Sequence, residues 1–287
     1  MITMRVSKAT ISVCQEEEPM NKLISVGFMR LWRDKPFWIA CAFMFLYGAV
    51  ISLRTDTNAP LEAIFFAFAV VIGIPSAVFC SLFMGTEYSD GTLRNKIIVG
   101  HTRATVYFSS LIVNFAACLL IALSYVLAVL VAGCPRLGFF QFGMKHMVLY
   151  SFAAVMMIFA FASIYTIIGM LLTNKATSAV VCILLFLALF APSITIQSRL
   201  SEPEYYKSSV DVSHTAEMQS KKPNPNYLTG IKREMYRFLY NLILPCQGMQ
   251  ITIQSSKEIV QLPLFSTGTI IISSGLGVFL FRKKDLK

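Results

Sequence analysis

The chain reads as a succession of long apolar runs separated by polar breaks. Six runs are long enough to cross a bilayer: 37–53, 63–84, 104–132, 147–172, 179–196 and 264–281. None of them contains Asp, Glu, Lys, Arg or His. A spanning helix needs about 20 predominantly apolar residues. Inside hydrocarbon every backbone N–H and C=O must be satisfied within the segment, so each run is predicted to be a helix. Pro75 and Pro192 fall inside two of these runs and are expected to kink them.

Two stretches carry a different pattern. In 20–36, Ile24, Phe28, Leu31 and Trp32 recur at i, i+4, i+7 and i+8, which places them on one helical face. Lys22, Arg30 and Arg33 fall on the other face, where they would meet lipid phosphates or a protein partner. The segment is therefore predicted to be an amphipathic interfacial helix, separated from the first span by Pro36. The second stretch lies in the long segment 197–263. It begins polar and loose, through Lys221-Lys222-Pro223-Asn224-Pro225-Asn226. From Thr229 it turns amphipathic, with Ile231, Met235, Phe238 and Leu242 on one face and Pro245 at the end. This insertion reads as a cap over the outer mouth, a dimer contact or a cargo-recognition surface.

Composition agrees with the membrane reading. Of 287 residues, 56% are apolar and only 14% charged, with a mean hydropathy of +0.65. Soluble domains carry about 25% charged residues, and a soluble fold of this size could not cover so much apolar surface. The net charge of +10 would point to nucleic acid in a soluble protein. Here it follows from where the basic residues sit, and no nucleic-acid partner is expected. Fourteen Lys and Arg lie before the first span, in the 85–103 and 173–178 links and in the tail. The opposite short links hold only Arg54, Arg136 and Lys145, while eight more lie in the long 197–263 segment, which translocates largely regardless of charge. Both termini are thus expected in the cytoplasm and 197–263 outside. Residues 1–19 are an undefined extension. Arg5 and Lys8 are followed by Glu16-Glu17-Glu18-Pro19 and not by the apolar stretch of a signal peptide, and Met20 is an alternative start.

The chemistry-bearing residues are few. His101, His146 and His214 are scattered, and the seven cysteines show no Cys-x-x-Cys metal spacing. Cys41, Cys80, Cys118 and Cys182 fall in spans; Cys134 and Cys246 are the pair expected outside, where a disulfide is one option. No Gly-x-x-x-x-Gly-Lys-[Ser/Thr] phosphate loop occurs, so ATP is not bound here by that device. Spans without ionisable groups do not suit ion-coupled carriers, which place such groups at membrane depth. Asn114 and Ser163 are the candidate pathway residues; the competing role for them is to knit helices together by hydrogen bonds.

The most informative link is 85–103. Thr86 could cap a short helix and put Glu87 near its positive end, Gly91 permits a break, and Thr102 could cap the third span. Leu93, Ile97 and Ile98 form an apolar patch beside Arg94 and Lys96. Helices can be joined by about 2–8 residues, so a longer link with caps and apolar signals reads as a contact surface. Glu87-Tyr88-Ser89-Asp90-Gly91-Thr92-Leu93-Arg94 resembles the E-x-x-x-G-T-[LT]-[KR] signature of ABC-2-type permeases, the membrane-spanning subunits of one class of ATP-binding-cassette transporter. The likeness extends over about residues 20–287, through the N-terminal helix, six spans, an outer insertion and a basic tail. It implies a six-span transmembrane domain over 37–287 with a cytoplasmic coupling helix. Glu87, Gly91, Thr92, Leu93 and Arg94 would be the ATPase-coupling positions. It also implies a separate ABC ATPase subunit that carries ATP and magnesium, and a dimer with a second copy or a sibling permease in a bacterial cell membrane. No cofactor or catalytic residue is expected in this chain. The function so implied is export of an amphiphilic cargo (a peptide, antibiotic or lipid). The competing reading is a membrane sensor or immunity protein that traps a toxic peptide with its outer segment.

Overall fold

A computed structural model describes residues 20–141, 143–207, 221–254 and 259–284. The extension 1–19 and His214 lie outside the described residues. The described chain is helical apart from one short antiparallel pair, β1 (Tyr205–Lys207) with β2 (Lys221–Pro223). Helix α1 covers 20–33. It is followed by α2 (Lys35–Arg54), α3 (Glu62–Phe65), α4 (Phe68–Val71), α5 (Gly73–Ser89), α6 (Thr92–Ile98), α7 (Arg103–Leu137), α8 (Met144–Leu171) and α9 (Lys175–Ser201). After the β pair come α10 (Gly230–Leu242), α11 (Leu244–Ile253) and α12 (Gln261–Lys283).

Five of these helices, α2, α7, α8, α9 and α12, are long and apolar enough to cross a membrane. A sixth crossing exists if α3–α4 and α5 are one span bent by 41°. This layout fits a multi-pass membrane protein. The apolar runs read from the sequence all recur as helix, but the second one corrects the expectation of a single helix over 63–84. Pro75 has no N–H to offer the carbonyl of Val71, and its ring crowds that carbonyl. The helical hydrogen-bond ladder is interrupted at Ile72, which keeps helical dihedrals, and separately at Phe66–Ala67, where Phe66 leaves them (φ −97°, ψ 6°). Pro192, by contrast, sits within a continuous α9.

The core lies between α2, α5, α7, α8, α9 and α12. Its largest fully buried side chains include Tyr107, Tyr125, Tyr165, Phe79 and Phe281. Helix α2 packs along α7, α12 along α8, and α5 is wedged between α8 and α9. Small residues allow the close approaches. At Gly169 of α8 an added Cβ would lie 2.7 Å from the Cβ of Met84 on α5.

Backbone carbonyls around the break between α3 and α4 also accept from neighbouring helices. The Tyr125 hydroxyl donates to the Ile64 carbonyl (2.7 Å), Thr252 Oγ1 to Phe66 (3.0 Å) and Gln254 Nε2 to Glu62 (2.5 Å). Two of these donors belong to α11 or its end. That helix was not foreseen: Pro245 ends the amphipathic α10, as expected, but also sits in the first turn of a new helix, where its missing N–H costs nothing. Helix α11 packs against α3, α4, α8 and α9, with Leu244, Cys246, Gln247 and Ile251 buried. So part of the insertion is built into the helical body and is not only a cap above it. Cys134 and Cys246 are both free thiols.

This packing makes a sharp contrast between two glycines. A Cβ at Gly248 of α11 would collide with the Ala69 carbonyl oxygen, whereas one at Gly268 of α12 meets nothing within 4 Å. Overpacking costs about 1–3 kcal/mol, and Gly→Ala in an open helix position gains up to about 1 kcal/mol. Gly248→Ala is expected to lower the thermal unfolding midpoint in detergent, and Gly268→Ala to leave it equal or higher, both read by near-ultraviolet circular dichroism.

Candidate functional site

The end of α5, the short helix α6 and the last turn of α1 meet in a charged cluster. Helix α5 continues to Ser89, so Thr86 lies in its last turn and does not cap a new helix. Glu87 therefore sits near the negative end of α5, opposite to the sequence expectation, where the helix dipole disfavours a carboxylate. Two cations offset this. Arg30 Nη1 lies 3.1 Å and Lys96 Nζ 2.9 Å from the same oxygen, Glu87 Oε1. Glu87 is only 3% exposed. A buried carboxylate of this kind persists only when paired.

Neutral groups complete the junction. Arg30 Nη2 donates to Thr86 Oγ1 (2.6 Å), and the guanidinium stands over the Phe83 ring at 5.1 Å. Asp90 Oδ2 is 3.9 Å from Arg30 Nη2. Thr92 Oγ1 donates back to the Glu87 carbonyl (3.1 Å) and accepts weakly from Arg30 Nη1 (3.4 Å). Between α5 and α6, Gly91 adopts φ +65°, the left-handed region that a side chain would strain. That turn lays α6 across the end of α5.

The other predicted positions divide by direction. Leu93 is buried and anchors α6, while Arg94 is exposed. Ile98 and Val99 are 70% and 78% exposed, so the outward surface of α6 lies one turn beyond Leu93. Thr102 caps α7 as expected, accepting from the Thr105 N–H at 3.2 Å.

Helix α1 corrects a second expectation. Its buried residues are Leu23, Gly27 and Leu31, with Ile24 and Phe28 half-buried and Trp32 exposed. The inward face is thus rotated from the predicted one. Gly27 abuts Val113 of α7, to whose Cγ2 an added Cβ would come within 2.6 Å. The rotation brings Arg30 inward to Glu87, whereas Arg33 stays exposed. Spacing alone placed Arg30 on the outer face; the signal that could have redirected it was the unpaired Glu87 beside an apolar patch. Trp32 and Trp38 remain at the surface, their rings 5.7 Å apart, at the elbow between α1 and α2.

The same end of the molecule holds a second clasp that sequence reading missed. Arg103 Nη1, at the start of α7, donates to the carbonyls of Phe281 and Arg282 (both 2.9 Å) and Lys284 (2.5 Å), closing the end of α12. Lys284 Nζ reaches the carbonyls of Met170 (3.1 Å) and Leu171 (3.0 Å) at the end of α8, and the Tyr88 hydroxyl (2.9 Å). Cations at helix C-termini complement the dipole and satisfy the last carbonyls. In the sequence the basic tail counts as an orientation signal and as part of the ABC-2 likeness, with no partner implied for Lys284.

Asn114 and Ser163 lie inside the helical body. Asn114 Nδ2 donates to Thr166 Oγ1 (2.9 Å), and the Ser163 and Ser273 hydroxyls are 2.7 Å apart. These bonds join α7 to α8 and α8 to α12, which is the helix-knitting arrangement. Among the described residues no three of His, Cys, Asp and Glu come together as a metal site. No protein-family model matches the chain, and no curated protein is similar to it.

Glu87 is the hub of the cluster. Glu87→Ala removes the carboxylate that Arg30 and Lys96 share, leaving Arg30 only the longer contact to Asp90, and is expected to destabilise the protein by roughly 3 kcal/mol. A double-mutant cycle of Glu87→Gln with Arg30→Gln should return a coupling of about 0.5–3 kcal/mol, measured from thermal unfolding in detergent.

Proposed function

We propose that this protein is the membrane-spanning subunit of an ABC-2-type ATP-binding-cassette exporter, and that α6 is the helix through which a separate ATPase drives it. One observation carries the reading. Helix α6 is locked onto α5 and α1 through the buried Glu87, yet it turns Arg94, Ile98 and Val99 outward. A rigidly mounted helix with an exposed apolar tip and basic neighbours is suited to receive a mechanical push. In this reading α3–α4 and α5 form the second of six spans, and both termini are cytoplasmic. In support, Arg30, Arg33, Lys35, Lys96, Arg103, Lys175, Arg282, Lys283 and Lys284 all belong to the α6 end of the helical body, the positive side of the charge asymmetry.

The proposed mechanism makes use of these contacts. ATP and magnesium bind to the partner subunit, and closure of its two copies moves the surface on which α6 rests. The displacement passes along α5 through the backbone of Thr86 and Glu87. It passes to α1 and α2 through Arg30, and to α8 and α12 through Tyr88, Arg103 and Lys284. The spans then tilt between inward- and outward-open arrangements around a dimer axis, and an amphiphilic cargo leaves the cytoplasm or the inner leaflet.

The test uses the exposed tip, because Leu93 is buried and a cysteine there would be screened. With the proposed ABC ATPase partner co-expressed, a cysteine at Val99 should crosslink to the ATPase, and the yield should change with ATP. Burying an aliphatic side chain is worth roughly 1.5–3 kcal/mol. Ile98→Asp should therefore weaken the complex about tenfold or more while the permease stays monodisperse. A folded permease that gives no ATP-sensitive crosslink, and whose partner ATPase activity ignores Ile98→Asp, would refute the role. Loss of peptide binding on shortening the outer segment, with no ATPase involved, would favour the sensor or immunity reading instead.

A further inference from the structure

We infer that α10 is a lipid-binding helix that lies in the membrane interface at the end of the molecule opposite α6, with its apolar face sunk into the acyl boundary. The inference needs only that the long apolar helices span a bilayer; it does not depend on an ATPase.

The helix is the most strongly two-faced element of the described chain. Ile231, Met235, Phe238 and Leu242 fall within one narrow arc, at spacings of four, three and four residues. All four are exposed, Ile231 at 87%. A row of this kind facing water would be a costly apolar patch. The remaining arc carries Lys232, Arg233, Glu234 and Arg237, with Tyr227, Tyr236 and Tyr240 nearby. Arg233 stands over the Tyr227 ring at 4.5 Å, and Arg237 Nη1 reaches Glu234 Oε1 at 3.5 Å. Basic residues opposite an apolar row, flanked by tyrosines, match the chemistry of the lipid headgroup layer.

Position decides between lipid and a second copy of the chain. The apolar row is continuous with the outward surface of α12. The Phe238 ring meets Phe265 edge-on at 5.6 Å, and Leu264 beside it is exposed. Leu264 lies in the first turn of α12, whose outward residues Ile271, Ile272, Leu276 and Phe279 are also exposed along its length, and a spanning α12 would present these to lipid. The body holds α10 at this level: Gln247 Nε2 and Gln250 Nε2 on α11 donate to the Asn241 and Tyr240 carbonyls (2.7 and 2.9 Å), closing the end of α10. A helix fixed beside the mouth of a span, with its apolar row in register with that span's lipid-facing residues, meets acyl chains. Its depth is expected to be about 5–10 Å below the headgroup surface.

The test places a fluorophore on each face of the full-length protein. The two native tryptophans, both exposed, are changed by Trp32→Phe and Trp38→Phe, and Met235→Trp or Ile231→Trp is added. Each variant is reconstituted into vesicles of phosphatidylcholine and phosphatidylglycerol carrying a nitroxide at carbon 5 of the acyl chain. Both apolar-face variants should emit at a blue-shifted wavelength, lose most of their intensity to the nitroxide and resist aqueous iodide. Arg237→Trp on the polar face should show the reverse. Emission from Met235→Trp and Ile231→Trp that is red-shifted and open to iodide would overturn the inference. So would blue-shifted emission that ignores the nitroxide, because the row would then be covered by protein.

Discussion

The structure depends on how an interrupted apolar stretch satisfies its own backbone. A helix in hydrocarbon closes its hydrogen bonds internally, and the stretch α3–α4–α5 does not: Pro75 withholds a donor from Val71, and a separate break falls at Phe66–Ala67. The carbonyls of Glu62, Ile64 and Phe66, around the break at Phe66–Ala67, accept from neighbouring elements. Tyr125 reaches across from α7, while Thr252 and Gln254 reach in from the end of α11. The insertion is thereby recruited into the core, and Gly248 is required where α11 meets the carbonyl of Ala69. The break, the buried tyrosine and the inserted helix are one solution to one constraint.

A second constraint acts at the opposite end. Once α5 is prolonged past the apolar core, its final turn carries Glu87 into a dry pocket at the wrong pole of the helix dipole. The carboxylate is tolerable only because Arg30 and Lys96 converge on it, and these come from different helices. The ion pair consequently fixes the position of α1 and α6 relative to α5. Removing one partner of such a group costs far more than the pair contributes, so the junction behaves as a single unit. Arg103 and Lys284 add the ends of α8 and α12 to that unit. A force applied to α6 would thus reach four of the long helices within a few bonds, which is the physical content of the proposed coupling.

Much of this was legible in the chain. Uncharged runs of spanning length have few alternatives to helix, and Gly91 and Thr102 mark a break and a cap that the structure places where they were expected. The amphipathic α10 was also plain from its spacing. What was not legible were contacts between elements distant in sequence. The face of α1 was misjudged by about one position because periodicity ranks apolar side chains and has no knowledge of Glu87, some 57 residues away. The basic tail looked like a topology signal, since nothing local reveals that Lys284 would find the carbonyls at the end of α8. Helix α11 was hidden because Pro245 serves both as a stop and as a start.

The sequence by itself determined that this chain is a set of long apolar helices, where most of them begin and end, and which links carry charge. These follow from hydrocarbon solubility and backbone hydrogen bonding, which act residue by residue. Tertiary structure alone decided that Arg30 turns inward, that the apolar stretch α3–α4 is interrupted and met there by α11, and that Asn114 and Ser163 bond between helices. Each of these is a pairing of polar groups in a low-dielectric interior. Such a pairing is favourable only when both partners arrive together, and their arrival depends on the packing of the whole bundle.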